Sequence, residues 1–369
     1  MIKKYIAVLL VFISSCATDP LSEATPKDEL NFPISIELSK DENSLFVANT
    51  NFDLHYQNAS LNLIDLDSKK IVENTTILTD SFLGDIAIDY DKNLLFTVSR
   101  ENSKLYMVDI SESKKLKCGG EKCDESHILE LDIDAPNYLT LDTDKSILYI
   151  GHRNDGMISV VSYKDPLKLK ILKQFEIDKF LGDISGLIYS KADDKIYVTS
   201  NYSSFLHIFR PLFDYYGRIS KIEYFDKVRI SNRNITITPS SESIAIYKDQ
   251  ILVGTTAPTG ISILSRYNDD YKFTKALTTM GAPVKIKCVE EDNICFLALY
   301  DSKSISIIDP ETQLVIDNIY LKKRVYDFTY SLKRKELYAT LFLENSVLVI
   351  DMDKESPSYL KIKEVISNE

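Results

Sequence analysis

The chain has 369 residues, of which 44% are hydrophobic and 27% charged, and its formal net charge is −11. This is enough apolar material for a large core of ordinary globular type. The acidic balance excludes nucleic acid or an anionic lipid surface as the main partner, because both need clustered Lys and Arg.

Residues 1–15 read as an export signal. Lys3 and Lys4 make a positive start, Tyr5 to Ile13 an apolar run too short to span a bilayer, and Ser14 and Ser15 a small-residue stretch before Cys16. The tetrad Ile13-Ser14-Ser15-Cys16 resembles a bacterial lipobox. The resemblance implies cleavage before Cys16, lipid on that cysteine and, with Ala17 rather than Asp following it, delivery to the outer membrane. Residues 16–32 are rich in Pro, Asp, Glu, Ser and Thr, and read as a flexible tether. The folded domain is then 33–369.

From there the chain repeats. A short β-rich unit follows a charged turn at Leu45-Phe46, Leu95-Phe96, Leu148-Tyr149, Ile196-Tyr197, Ile251-Leu252, Ile294-Cys295 and Leu337-Tyr338. Turns such as Asp91-Lys92-Asn93 carry the Asp/Asn chemistry of hairpins. Each unit offers about four short antiparallel strands and no convincing amphipathic helix. Units of this length and content predict an all-β fold, a seven-bladed β-propeller of four-stranded antiparallel blades. The last blade holds four strands of its own, so closing the ring requires no swapped strand, although the segment before Phe32 is available to add one.

The four remaining cysteines fall as local pairs, Cys118 with Cys123 and Cys288 with Cys295. An oxidising compartment favours two disulfides; a zinc site is the rival, but neither spacing is that of the usual knuckle. Cys288 and Cys295 flank a predicted hairpin turn, facing each other, with Cys295 in the slot that is aromatic in five other blades. Reduced, buried thiols are the alternative.

The runs Lys303 to Ile316 and Asn345 to Asp351, with their Ile-Ile-Asp and Val-Ile-Asp strands, resemble YVTN-type repeats. The resemblance covers roughly residues 33–365, close in blades one, two, six and seven and loose in four and five. It implies a seven-bladed propeller, often extracytoplasmic and sometimes classed as lactonase-like. The chain departs from the family in its turns, having only 11 glycines where Asp-Gly is usual.

In a propeller, the start of each innermost strand and the loop between the second and third strands share one face around the central channel. Counting eleven residues back from the aromatic of the second strand reaches Ser35, Asp85, Tyr138, Gly186, Val284 and Asp327; a tighter turn in blade five suggests Ser243. The string Phe-Leu-Gly-Asp-Ile at both 82–86 and 180–184 adds Asp183. Asp85, Asp183 and Asp327 would then converge near the channel mouth with Tyr138, to form a cation site of the kind calcium takes or to supply a carboxylate pair for acid–base work. The plainer alternative is that each caps its own turn. Asp-x-Asp turns elsewhere resemble fragments of calcium loops but lack the Gly and Glu of an EF-hand. The second-to-third-strand loops contribute Arg100, His152, Arg153, Asn154, Asn201, Tyr202 and Tyr300. His152-Arg153 would polarise a carbonyl or hold an anion, or would be plain surface.

No nucleophile elbow, phosphate loop or zinc-protease motif is present, and no metal or other cofactor is assigned. The leading expectation is a non-enzymatic envelope lipoprotein, tied to the membrane by its lipid, whose propeller binds a protein, peptide or glycan. The alternative is a lactonase-like hydrolase acting at the channel.

Overall fold

The structure, a computed structural model, describes residues 22–166, 168–177, 183–230 and 241–368. Residues 1–15, read as an export signal, and Cys16 and Ala17 lie outside them. Among the described residues the strands form seven antiparallel sheets, each built in sequence order from one stretch of chain. The blades span 33–79, 83–130, 136–176, 184–229, 241–278, 283–320 and 325–367. In blade one the outermost strand is split into Lys70–Ile71 and Ile77–Thr79, both paired with Ala59–Asp65. Each innermost strand packs against those of the blades before and after it, and the innermost strand of blade seven packs against that of blade one. The protein is a seven-bladed β-propeller.

The alternation read from the sequence arises from how blades stack. The second strands Ser44–Asn49, Leu94–Ser99, Ile147–His152, Lys195–Ser200 and Glu336–Leu341 are buried along their whole length, with a neighbouring blade on each face. The core is therefore divided among the blade interfaces: Phe296 and Phe328 between blades six and seven, Val47 and Tyr338 between seven and one. Blades four and five match the repeat loosely because their outer hairpins are longer. Phe205–Phe213 and Ile219–Arg229 run 9 and 11 residues, against 6 and 7 for Ser304–Asp309 and Leu314–Tyr320.

Low glycine content is accommodated at the turns. Asn93, Ser146, Asp194, Asn293 and Lys335 all take positive φ, a conformation Asn and Asp tolerate better than most. In two of them an aspartate at the end of the preceding strand braces the turn, Asp89 for Asn93 and Asp142 for Ser146. Asp89 Oδ1 accepts from the N–H groups of Asp91 and Lys92, both at 3.1 Å, and Asp309 Oδ1 from those of Glu311 and Thr312. The Asp-x-Asp motifs are thus hairpin braces.

Both cysteine pairs are bonded, Cys118 to Cys123 and Cys288 to Cys295. Cys288 and Cys295 face each other in register, with Cα atoms 4.0 Å apart. One detail of the sequence reading is corrected. Phe296, paired with Lys287, stands where Phe46 pairs with Glu37 and Tyr149 with Thr140. Phe296 is the aromatic of blade six; Cys295 takes the preceding apolar slot.

Part of the stretch read as a tether, 16–32, is packed on the propeller. From Glu23 on, the chain is laid along blade one: the Glu23 N–H donates to His55 O at 3.0 Å, and Thr76 Oγ1 donates to Asp28 Oδ1 at 2.7 Å. Leu30 is buried among Tyr338, Val347 and Ile366. Asn368 closes the ring by accepting from the Leu30 N–H at 2.7 Å and donating to Leu30 O at 2.9 Å. This polar clamp adds to the packing of blade seven on blade one, and no strand is shared between them among the described residues. Composition suggested a loose segment because Leu30 is isolated in sequence, and its pocket is made by the other end of the chain.

Candidate site at the channel

Each innermost strand begins with a register shift that turns one side chain toward the axis. Pairings such as Ser35 with Ala48, Tyr138 with Gly151, Gly186 with Thr199 and Ser243 with Gly254 place these residues at equivalent positions. With the corrected aromatic, the same count in blade six reaches Lys285, paired with Ala298, rather than Val284. Asp85, Tyr138, Gly186, Ser243, Lys285 and Asp327 line one cavity of about 610 Å³. Gly186 allows the close approach of blades four and five there, since a Cβ would fall 2.6 Å from Thr199 Oγ1 and 3.0 Å from Ile244 Cγ2.

The floor of the cavity is an ion-pair network crossing the channel. Lys285 Nζ lies 2.9 Å from Asp85 Oδ1 and 4.0 Å from Asp327 Oδ2. Lys287, two residues on and therefore on the same face, lies 2.8 Å from Glu37 and 3.1 Å from Asp327. Asp327 is 2% exposed and also accepts from Ser35 Oγ and the Ile36 N–H, both at 3.1 Å. Burial alone would raise its pKa, but the two lysines and the N–H donors outweigh that and hold it below the usual carboxylate range. Burial likewise presses the lysines down, and their carboxylates more than reverse it. Glu37 is pushed up by burial against the pull of Lys287.

Asp85 and Asp327 therefore meet, as expected, but on a lysine, and a cation placed between them would face an ammonium. Asp183 does not join them. Ile184 pairs with Ser200 as Leu83 pairs with Ser99, so the repeated string is three residues out of structural register. Asp183 stands at the rim, 3.5 Å from Arg153 Nε, and accepts from Asn201 Nδ2 at 2.7 Å. Among the described residues no group of three or more His, Cys, Asp or Glu is arranged to hold a metal ion.

Around the mouth, Arg100, Arg153, Asn201 and Tyr300 line the cavity with Tyr138 and Tyr326. Asn154 and Tyr202 are exposed and outside it. His152 is neither surface nor lining. It is fully buried, with Nδ1 2.9 Å from Asp134 O and Nε2 2.8 Å from Ser159 Oγ, and burial lowers its pKa. It splices blade three together instead of facing a ligand. Tyr300 and Tyr326 meet edge to face at 5.9 Å, and Tyr326 continues to Phe342, Phe52 and Phe82. Sequence reasoning missed Lys285, Lys287, Glu37 and Tyr326. A one-residue correction in blade six, followed by the period of two, would have found the first three.

No family model matches the chain, and no curated protein matches it in sequence. Solved structures match it in fold. A protein from Lactobacillus plantarum superposes with TM-score 0.65 at 11% identity, over 78% of this chain and 84% of that one. Hydrazine synthase from Kuenenia stuttgartiensis gives 0.63 at 13%, over 90% and 99%. The dihydro-heme d1 dehydrogenase NirN, in complex with DHE, gives 0.57 at 11%, over 95% and 65%. At these identities the likeness is one of fold alone. Function has to be argued from the site.

Proposed function

We propose that the protein is an envelope lipoprotein of the outer membrane, held by lipid on Cys16, whose propeller of YVTN-type repeats binds a protein, peptide or glycan at the channel mouth. The observation that carries the binding role is the division of the cavity. Its floor carboxylates are engaged by Lys285 and Lys287, while its mouth is lined by Tyr138, Tyr300, Tyr326, Asn201 and two arginines. Tyrosine, asparagine and arginine are the side chains that recognition surfaces use most effectively. In this role His152 is structural and catalysis is not required of Asp85 or Asp327.

The test is capture from envelope extract by a soluble 17–369 form, compared with its Tyr138→Ala and Tyr300→Ala variants. A partner retained by the parent and lost from both variants is expected; identical recovery from all three would sink the proposal. Labelled fatty acid should enter the full chain and not its Cys16→Ser variant. A lactonase-like hydrolase is the second reading, resting on the Asp85–Lys285 pair that lines the cavity. It requires lactone turnover that Asp85→Asn abolishes.

A further inference from the structure

We infer that the channel mouth is a seat for the acidic group of a small ring-bearing organic anion, with Arg100 as its principal partner. This rests on the proposal that the mouth is the binding face and names the chemistry it would bind. Lys285, Lys287 and Arg153 each have a carboxylate within 4.0 Å. Arg100 forms no ion pair among the described residues, and its buried Nε has no hydrogen-bond partner; its guanidinium rests over the Phe82 ring at 5.7 Å. A guanidinium does not give up its proton, and a partly buried charge without a counterion is costly. Arg153 adds to that cost: burial first, and then this second cation, lower the pKa of Arg100. An oxyanion at the mouth would relieve both effects and suits the planar fork of donors.

The surroundings describe the rest of the ligand. Burial raises the pKa of Tyr138, so its phenol stays an O–H donor toward the same anion. Tyr300, which carries the Arg324 guanidinium over its ring at 4.9 Å, and Tyr326 give the cavity an aromatic wall for a flat or cyclic body, and a cavity of about 610 Å³ suits a small organic molecule.

Calorimetric titration of the purified full chain with benzoate, phenyl phosphate and benzyl alcohol tests this, because the three probes share a ring and differ in head group. One site for the anions is expected, with benzyl alcohol weaker by about tenfold or more. The tighter anion identifies the acid as carboxylate or phosphate. Arg100→Gln should weaken anion binding by about tenfold or more and leave benzyl alcohol unchanged, with Arg100→Lys between. If Arg100→Gln does not fold, the head-group comparison and Arg100→Lys decide. The inference is overturned if neither anion binds at about 10 mM, if the alcohol binds equally well, or if removing the Arg100 fork changes nothing. Loss of anion binding with partner capture intact removes this seat alone; the reverse result removes the proposed partner and leaves the seat.

Discussion

At the floor of the channel Lys285 and Lys287 face Asp85, Glu37 and Asp327; at its mouth Arg100 and Arg153 face one carboxylate, Asp183. The floor groups sit on innermost strands, whose register is held by two neighbouring blades, and Asp327 accepts from the Ile36 N–H and Ser35 Oγ of the next blade as well. The mouth groups sit one residue beyond the second strands, where a single backbone bond positions them: the Arg100 N–H to Phe82 O, the Arg153 N–H to Ala135 O. Similar charges therefore serve different ends. Where the backbone is gripped on both sides, opposite charges lock blades six, seven, one and two together. Where it is gripped on one side, a charge is left for something else to meet.

The strongest way to break that contrast is Asp327→Ala, which leaves Lys285 with Asp85 alone and Lys287 with Glu37 alone, and strips the buried Ser35 Oγ and Ile36 N–H of their acceptor. A loss of about 3–5 kcal/mol in denaturant unfolding is expected, the usual result of removing one partner of a buried pair. The pH dependence has a definite sign. The folded-state pKa of Asp327 lies below the ordinary 3.8, so its contribution is present above that value and lost as pH falls through the lower folded one. Asp327→Asn should therefore flatten the acid limb of a stability profile, and an unchanged limb would show that the network does not stabilise the ring.

Next in size is the clamp on the lysine strand. Cys288 directly follows Lys287, and its bond to Cys295 closes a short hairpin. Cys288→Ser should lower stability by about 2–3 kcal/mol from chain entropy. Alkylation of the denatured, unreduced protein should leave Cys288 and Cys295 unlabelled; full labelling would remove the bond from the account.

Asn368→Ala opens the seam that sets Glu37 of blade one beside Asp327 of blade seven. Two hydrogen bonds at about 0.5–1.5 kcal/mol each predict a loss of about 1–3 kcal/mol. Hydrogen exchange should rise first at Leu30 and Ile366; exchange spread evenly over the ring would argue against a local seam.

The smallest effect on stability belongs to the mouth. Asp183→Asn should move unfolding by less than about 0.5 kcal/mol, as partly exposed pairs usually do. It should also strengthen benzoate or phenyl phosphate binding, because it removes the competing carboxylate from Arg153. A large stability loss would place Asp183 with the floor groups and erase the distinction.

Much of this was legible without coordinates. Counting from the second-strand aromatics located Asp85, Tyr138, Gly186 and Asp327 at the channel, and the tighter turn of blade five located Ser243. The count failed in blade six because Ile294, Cys295, Phe296 and Leu297 are all apolar. A strand covered on both faces loses the alternation that fixes register, and a slip of one residue hides every inward side chain. For the same reason a repeated string placed Asp183 three residues from its true position, since the register shift at the head of the innermost strand is invisible in the string. His152 looked like a loop residue because it ends its strand, and only the positions of Asp134 O and Ser159 Oγ made it part of the core.

The sequence by itself determined the number of blades, the antiparallel order of their strands and which cysteines lie together, because each depends on hairpins and turns closed within a few residues. Tertiary structure decided which charges meet. Lys285 reaches Asp85 across 200 residues, Lys287 reaches Glu37 across 250, and Asn368 reaches Leu30 across 338. Those distances along the chain collapse only when seven blades are set around one axis at one height. Whether a given charge at the channel finds a partner or waits for a ligand depends on that arrangement, which no local pattern encodes.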